Sequence, residues 1–103
     1  MLEKHIQAQI LHYLVLKNVF HWRNNTGCAT YQSKNGKKSF VRFGQPGMSD
    51  ILGIYKGKFL AIEVKRPGGK VTELQKKFLE AIESNDGIAI LAYDLDDVKK
   101  VIA

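Results

Sequence analysis

Cysteine, proline and long apolar runs are all scarce in this chain of 103 residues. Cys28 is the only cysteine, which excludes a disulfide framework and a cluster of thiolate metal ligands. We therefore expect a protein of the reducing cytoplasm. No apolar stretch approaches the ~20 residues that a membrane-spanning helix needs. Polar residues such as His5 and Gln7 interrupt the first apolar segment and argue against a secretory signal, so a membrane is not among the expected partners.

Acidic residues are also few relative to basic ones. The chain has 10 acidic and 16 basic residues and a formal net charge of +6, which favours partners that carry phosphate groups. A hydrophobic share of 45% is ordinary for a globular protein and too high for a disordered one. The length predicts one domain, residues 1–103.

The spacing of apolar residues predicts an α/β fold. Helices are predicted over 2–17, 72–84 and 95–102, strands over 19–23, 39–43, 50–55, 59–65 and 88–93, and a polar, basic loop over 30–38. The strand–helix–strand order of 59–93 makes its two strands parallel neighbours, whereas the hairpin of 50–65 contributes an antiparallel pair. The prediction is a mixed central sheet with helices on both faces.

The hairpin brings charged residues together. If Lys56 and Gly57 form a two-residue loop, counting outward places Asp50 opposite Glu63, and cross-strand partners have Cβ atoms only about 4.5–5.5 Å apart. Lys65 then lies on the same face as Glu63, because side chains alternate along a strand. A loop shifted by one residue would pair Asp50 with Lys65 instead, still on that face.

Two facing carboxylates repel unless a cation lies between them or one is protonated. Their hard oxygens suit Mg²⁺ or Mn²⁺, and such an ion can activate a water for attack on a phosphodiester. In that case Lys65 orients or deprotonates the water, or neutralises the developing charge. The alternative is that Asp50 is a turn residue and that Glu63 and Lys65 are the solvated end of an edge strand.

Glu3 and Gln75 each have more than one explanation. Glu3 lies in the apolar stripe of Ile6 and Ile10, where an unpaired charge is expensive. Either a metal site satisfies it, or the first helical turn frays into water, or it interacts with the helix dipole. Gln75 forms a capping box with Thr72 in the sequence pattern, and a second role facing a phosphate is possible because the helix begins just beyond the hairpin.

Basic and aromatic residues could contact nucleic acid. The basic ones precede the predicted site at Lys34, Lys37, Lys38 and Arg42 and follow it at Arg66, Lys70, Lys76 and Lys77. They could track a phosphate backbone on both sides of the site, although charged loops and helix faces are commonly just solvated. Trp22 and Tyr31 could stack on bases, but we expect Trp22 to pack in the core.

Asp50 followed by Glu63-Val64-Lys65 resembles the signature of the PD-(D/E)XK nucleases. The continuation 62–79 is similar to the VRR-NUC branch of that superfamily, and 44–50 resembles its glycine-rich approach to the aspartate. The likeness extends over nearly the whole chain. It departs at Ser49, where the family often has proline, and at Phe78, where tryptophan is usual.

This resemblance implies a restriction-endonuclease-like αβββαβ core. It implies metal ligation by Glu3, Asp50, Glu63 and the Val64 carbonyl, Lys65 as the catalytic lysine, and Gln75 as a helix residue near the site. Stand-alone proteins of this kind resemble bacterial or phage enzymes that act as homodimers on branched DNA, including four-way (Holliday) junctions.

The resulting hypothesis is a Mg²⁺- or Mn²⁺-dependent endodeoxyribonuclease, working in the cytoplasm of a bacterium or of a phage-infected host. Two alternatives stay open. The first is a nicking or restriction-type nuclease that acts on linear duplex. The second is a DNA-binding module without catalysis, in which the carboxylates are incidental.

Overall fold

The structure is a computed structural model that describes residues 1–24, 27–32, 36, 38–43 and 46–103, with backbone only for 27–32 and 38–43. Its elements are α1 (Glu3–Leu16), β1 (Phe20–Arg23), β2 (Gly27–Gln32), β3 (Lys38–Phe43), β4 (Ile51–Tyr55), β5 (Lys58–Val64), α2 (Glu73–Ser84), β6 (Ile88–Ala92) and α3 (Leu95–Lys99). Among the described residues, no helix has the length and apolar character to cross a membrane.

Four strands form the main sheet, in the order β1-β4-β5-β6. β4 pairs antiparallel with both β1 and β5, whereas β5 and β6 are parallel. The crossover through α2 explains the parallel pair, because a strand–helix–strand connection returns the chain in the same direction. The predicted mixed α/β sheet is therefore confirmed, and its architecture is compatible with a restriction-endonuclease-like core.

The predicted loop over 30–38 is wrong in part. Residues Gly27–Gln32 form β2, which pairs antiparallel with β3 in a separate two-stranded sheet. Cross-strand hydrogen bonding accommodates a polar sequence, and the β-branched Thr30 and aromatic Tyr31 favour the extended conformation. Lys34 and Lys37, two of the predicted DNA contacts, lie outside the described residues.

One face of the main sheet, the α1 face, holds the core. Leu60, Ile62 and Val64 alternate along β5 and are completely buried there. They belong to a buried apolar cluster with residues of the first and last helices, Ile6, Ile10, Leu14, Val98 and Ile102. Each side chain of this size contributes about 1.5–3 kcal/mol on burial, so the α1 face accounts for most of the hydrophobic stabilisation.

The opposite face, the α2 face, is covered less completely. Within the described residues α2 packs on β5 and β6 and on no other strand, and none of its own residues is fully buried. On the half of this face formed by β1 and β4, Leu52 is buried, whereas Phe20, Trp22 and Ile54 are exposed. Trp22, on the edge strand β1, is 42% exposed, so the expectation that it packs in the core is wrong.

Both ends of α2 are fixed by local hydrogen bonds. Its first residue follows Thr72, which forms the predicted capping box with Gln75. At the other end the N–H groups of Asp86 and Gly87 donate to the carbonyls of Glu83 and Ile82, which is a Schellman motif. The left-handed residue is Asp86, with φ of 65°, a conformation that aspartate adopts more readily than most residues other than glycine. The helix is thereby held in register over the end of β5.

Candidate active site

The hairpin turn determines which residues face each other across β4 and β5. Lys56 and Gly57 both have positive φ, 50° and 79°, as a two-residue type I′ turn requires. Tyr55 consequently pairs with Lys58, and at the far end Ile51 pairs with Ile62. One residue further out, Asp50 lies opposite Glu63, which is the predicted register.

Hydrogen bonds on both sides hold Asp50 in place. Its Oδ2 accepts a hydrogen bond of 2.8 Å from the backbone N–H of Val64. Its backbone carbonyl accepts one of 2.7 Å from the N–H of Asn24, just after the end of β1. Asn24, Asp50 and Glu63 therefore lie side by side at the ends of three neighbouring strands. We call these three residues the carboxylate row.

Glu63 is the most unusual residue of the row, because its side chain is 2% exposed and incompletely hydrogen-bonded. The Gln75 amide nitrogen lies 3.4 Å from Glu63 Oε2, whereas Oε1 has no hydrogen-bond partner among the described residues. Burial is the largest cause that raises the pKa of Glu63, followed by the interaction with the Asp50 carboxylate. With a smaller contribution from Glu3, and despite the opposing charge of Lys65, the pKa reaches about 9.

These features fit a divalent cation. A buried carboxyl oxygen without a partner is costly, and two adjacent acidic groups provide the hard oxygen donors that Mg²⁺ and Mn²⁺ accept. Within the described part of the chain, no three side chains of His, Cys, Asp or Glu are grouped closely enough to hold a metal ion. Asp50 and Glu63 would therefore need further ligands, such as a backbone carbonyl and water molecules, which Mg²⁺ commonly keeps.

Glu3 and Gln75 reach the row from two helices. Glu3 is half-buried in the first turn of α1, and its charge raises the pKa of Glu63, although its role as a ligand stays a prediction. Gln75 forms the predicted capping box and also contacts Glu63, whereas its role facing a phosphate stays a prediction. Its backbone N–H and side-chain Oε1 complete the capping box with Thr72 at 3.2 and 3.0 Å, while its Nε2 contacts Glu63.

The positively charged residues are divided between described and undescribed parts of the chain. Lys65 follows β5 directly and is half-buried, and its charge lowers the pKa of Glu63. Arg66, Lys70 and Lys76 are exposed, and none of the three has an ion pair among the described residues. Lys38 and Arg42 lie on β3, for which only the backbone is described.

Sequence reasoning missed two residues of the site, Asn24 and Ser49. Asn24 Nδ2 and Ser49 Oγ are buried and lack hydrogen-bond partners in the described structure, a property that they share there with Glu63 Oε1 alone. All three residues adjoin or face Asp50. Roughly 90% or more of buried polar groups in proteins are paired, so this clustering marks a polar site. In the sequence, Asn24 suggested only a turn, and Ser49 only a departure from the family pattern.

The site agrees with the similarity of the chain to a known protein family. A search of curated proteins gave no significant match. The family model of the VRR-NUC domain matches residues 3–93, a region that begins at Glu3 and contains Asp50, Glu63, Lys65 and Gln75. This match covers most of the chain and the complete carboxylate row. The chain belongs to the VRR-NUC family, a branch of the PD-(D/E)XK nuclease superfamily.

Proposed function

We propose that the protein is a divalent-metal-dependent endodeoxyribonuclease that hydrolyses DNA phosphodiesters at the carboxylate row. Membership of the family indicates a nuclease. The observation that carries the proposal for this chain is the pair formed by the half-buried Asp50 and the buried Glu63, in which one oxygen of Glu63 lacks a partner among the described residues. A stable fold tolerates such a pair at a cost, and a bound cation would remove that cost.

In this proposal Asp50 and Glu63 bind Mg²⁺ or Mn²⁺, and Glu3 and the Val64 carbonyl complete the ligand set. A metal bound there lowers the pKa of a coordinated water and stabilises negative charge on the phosphate. The hydrogen bond from Val64 N–H to Asp50 ties the strand segment that bears the Val64 carbonyl to the carboxylate, which keeps these two ligands together.

Lys65 and Gln75 have supporting roles. Lys65 directly follows β5, and its charge lowers the pKa of Glu63, which supports a role next to the carboxyl pair. In this proposal it orients or deprotonates the attacking water or neutralises charge on the phosphorane. Gln75 holds Glu63 Oε2 in position from the rigid, capped start of α2. A fixed Glu63 presents its free Oε1 in one direction, as a ligand must.

The preferred substrate is branched DNA, including four-way junctions, and the active form is a homodimer. One active site per chain cuts one strand, so paired cuts on a junction require two copies, and a symmetric dimer is the simplest arrangement that supplies them. The net charge of +6 and the exposed Arg66, Lys70 and Lys76 support binding of a phosphate backbone. Lys34, Lys37, Lys38 and Arg42 are proposed to contact it as well.

Cleavage of matched substrates tests this function. A four-way junction and a linear duplex of the same sequence are incubated with the protein in Mg²⁺, in Mn²⁺ and in EDTA. We expect metal-dependent cleavage with a preference for the junction. Lys65→Ala should lower the rate 10²–10³-fold, the usual loss for a group that stabilises transition-state charge. Lys100→Ala, an equal change of charge at an exposed residue after α3, is the matched control and should cut like wild type.

The alternatives give different results in the same assay. Cleavage of the linear duplex at an equal or higher rate would contradict junction selectivity and support a nicking or restriction-type nuclease. DNA binding without cleavage in either metal would leave a non-catalytic binding module. Sedimentation of the protein with and without a junction tests the dimer, which is contradicted if a single copy binds and cuts both strands.

A further inference from the structure

The α2 face carries exposed aromatic side chains near the carboxylate row, at the end of the sheet that holds the β4–β5 turn. Phe20 and Trp22 lie two residues apart on the edge strand β1 and therefore share a face of the sheet. They are 67% and 42% exposed. Their rings form an edge-to-face pair with centroids 5.7 Å apart. Ile54 and Phe59, on the two neighbouring strands, are also exposed. We call these four residues the aromatic patch.

The strand registers place the patch on the face that contains the site. Trp22 pairs with Leu52, which pairs with Ala61, and Ala61 lies two residues before Glu63 on the same side of β5. Phe20 pairs in the same way with Ile54 and Phe59, one row further out. Successive rows on one face are about 7 Å apart, because a strand rises about 3.4 Å per residue. Trp22 is thus the aromatic residue of the patch nearest to the carboxylates.

We propose that the aromatic patch binds unstacked DNA bases next to the phosphate that the carboxylate row attacks, with Trp22 as the main stacking surface. The inference rests on the proposed nuclease function and adds a determinant of its substrate choice. A base within a duplex is stacked on both sides and cannot cover Trp22. A base in a single-stranded arm or at a branch point is free to stack on an exposed indole, which commonly contributes strongly to binding.

Charge and area favour DNA over a second copy of the chain as the occupant. The net charge of +6 attracts a polyanion such as DNA to the protein surface. A whole aromatic side chain has about 150–250 Å² of surface, and at their exposed fractions the four residues together offer on the order of 400 Å². Each partner in a stable protein interface contributes about 800 Å², so the patch is too small to form one unaided.

The single tryptophan of the chain makes the proposal directly measurable. Binding is followed with a duplex that has a single-stranded arm, with 2-aminopurine as the first unpaired nucleotide, and with a fully paired duplex of the same sequence. Lys65→Ala is used as the background in Mn²⁺, so that the DNA stays intact. We expect quenching of both the tryptophan and the 2-aminopurine with the armed substrate, and weaker quenching with the paired duplex.

Substitutions at Trp22 provide the decisive comparison. Trp22→Ala should weaken binding of the armed substrate about tenfold, as expected for the loss of one stacked base, and should weaken binding of the paired duplex far less. Trp22→Phe should recover most of the difference, because the ring is restored. Val15→Ala, a change at a 62% exposed residue of α1, is the control and should match the background in both cases.

Several results would overturn the inference. One is an equal loss for Trp22→Ala on both substrates, and another is 2-aminopurine fluorescence that does not depend on Trp22. A third is a wild-type dimer in sedimentation that dissociates on Trp22→Ala, which would assign the patch to a second copy. If the wild type cuts no DNA yet the armed substrate depends on Trp22, the nuclease proposal fails while the stacking surface stands.

Discussion

The two faces of the main sheet differ in packing and in polar groups. The α1 face buries alternate residues of β5, such as Leu60 and Ile62, beneath two helices. On the α2 face the same strand carries Glu63, whose buried Oε1 has no partner among the described residues. Exposed aromatic residues lie on this face as well, with Trp22 one row from the carboxylate row. Stability is therefore concentrated on one face, and the chemically unusual groups on the other. This separation allows the site to carry a costly carboxyl pair without loss of the fold.

Core truncation should produce the largest effect on stability. Ile10→Ala on the α1 face removes a fully buried side chain and should lower the free energy of unfolding by about 2–5 kcal/mol. Leu74→Ala on α2, where the side chain is 55% exposed, should cost less than about 1 kcal/mol. Urea unfolding of both variants measures the contrast. Equal losses would mean that the α2 face also supports the core.

Metal binding should offset the electrostatic repulsion between Asp50 and Glu63 and so stabilise the folded chain. At a Mn²⁺ concentration of about 100 Kd, the free energy of unfolding of the wild type should rise by about 2.7 kcal/mol. Asp50→Asn and Glu63→Gln should lose most of this gain, because each removes one anionic ligand. Thermal melts with Mn²⁺ and with EDTA provide the measurement, and Asp86→Asn, at the C-terminal end of α2, serves as a matched control. A site elsewhere is indicated if all variants shift like wild type.

Without metal, the pH dependence of stability should follow Glu63. Its pKa is about 9 in the folded chain against an ordinary value of 4.5, so the folded state retains a proton that the unfolded state releases. The resulting stabilisation is complete below about pH 4.5 and is lost as the pH rises toward 9. Glu63→Gln imitates the neutral form and should flatten this dependence.

At pH 7.5 in EDTA, Glu63→Gln should also be more stable than wild type. We expect a gain of about 1–3 kcal/mol, because Glu63 must take up a proton on folding at this pH whereas the neutral glutamine amide need not. Urea unfolding from pH 5 to pH 9 tests both statements. Wild-type stability that rises over this range relative to Glu63→Gln would contradict the assigned environment.

The smallest effect should come from the cap of α2. Thr72→Ala removes the hydroxyl that accepts a hydrogen bond from the Gln75 N–H and should destabilise the chain by about 1 kcal/mol. Because Gln75 also contacts Glu63, a looser helix start should reduce nuclease activity more than that loss alone implies. Thr72→Ser keeps the cap and should restore both properties. Unchanged activity in Thr72→Ala would show that Gln75 is positioned without the capping box.

Local patterns in the sequence predicted much of the fold. The Lys56-Gly57 turn fixed the register that places Asp50 opposite Glu63, since a two-residue loop permits a single pairing of the strands. Thr72 and Gln75 predicted the start of α2 because a capping box depends on neighbouring residues alone. By contrast, the pattern over 30–38 predicts a loop, and residues 30–32 become part of β2 only through pairing with β3.

What the sequence by itself determined about this protein is most of its elements, the hairpin, and the sheet face that Asp50, Glu63 and Lys65 share, each of which follows from residues close in the chain. What only the tertiary structure decided is burial. The buried, unpartnered Asn24 and Ser49, the raised pKa of Glu63 and the exposure of Trp22 all depend on which helix covers which half of the sheet. That coverage depends on packing between segments that are distant in the chain, so the spacing of residues along the sequence does not predict it.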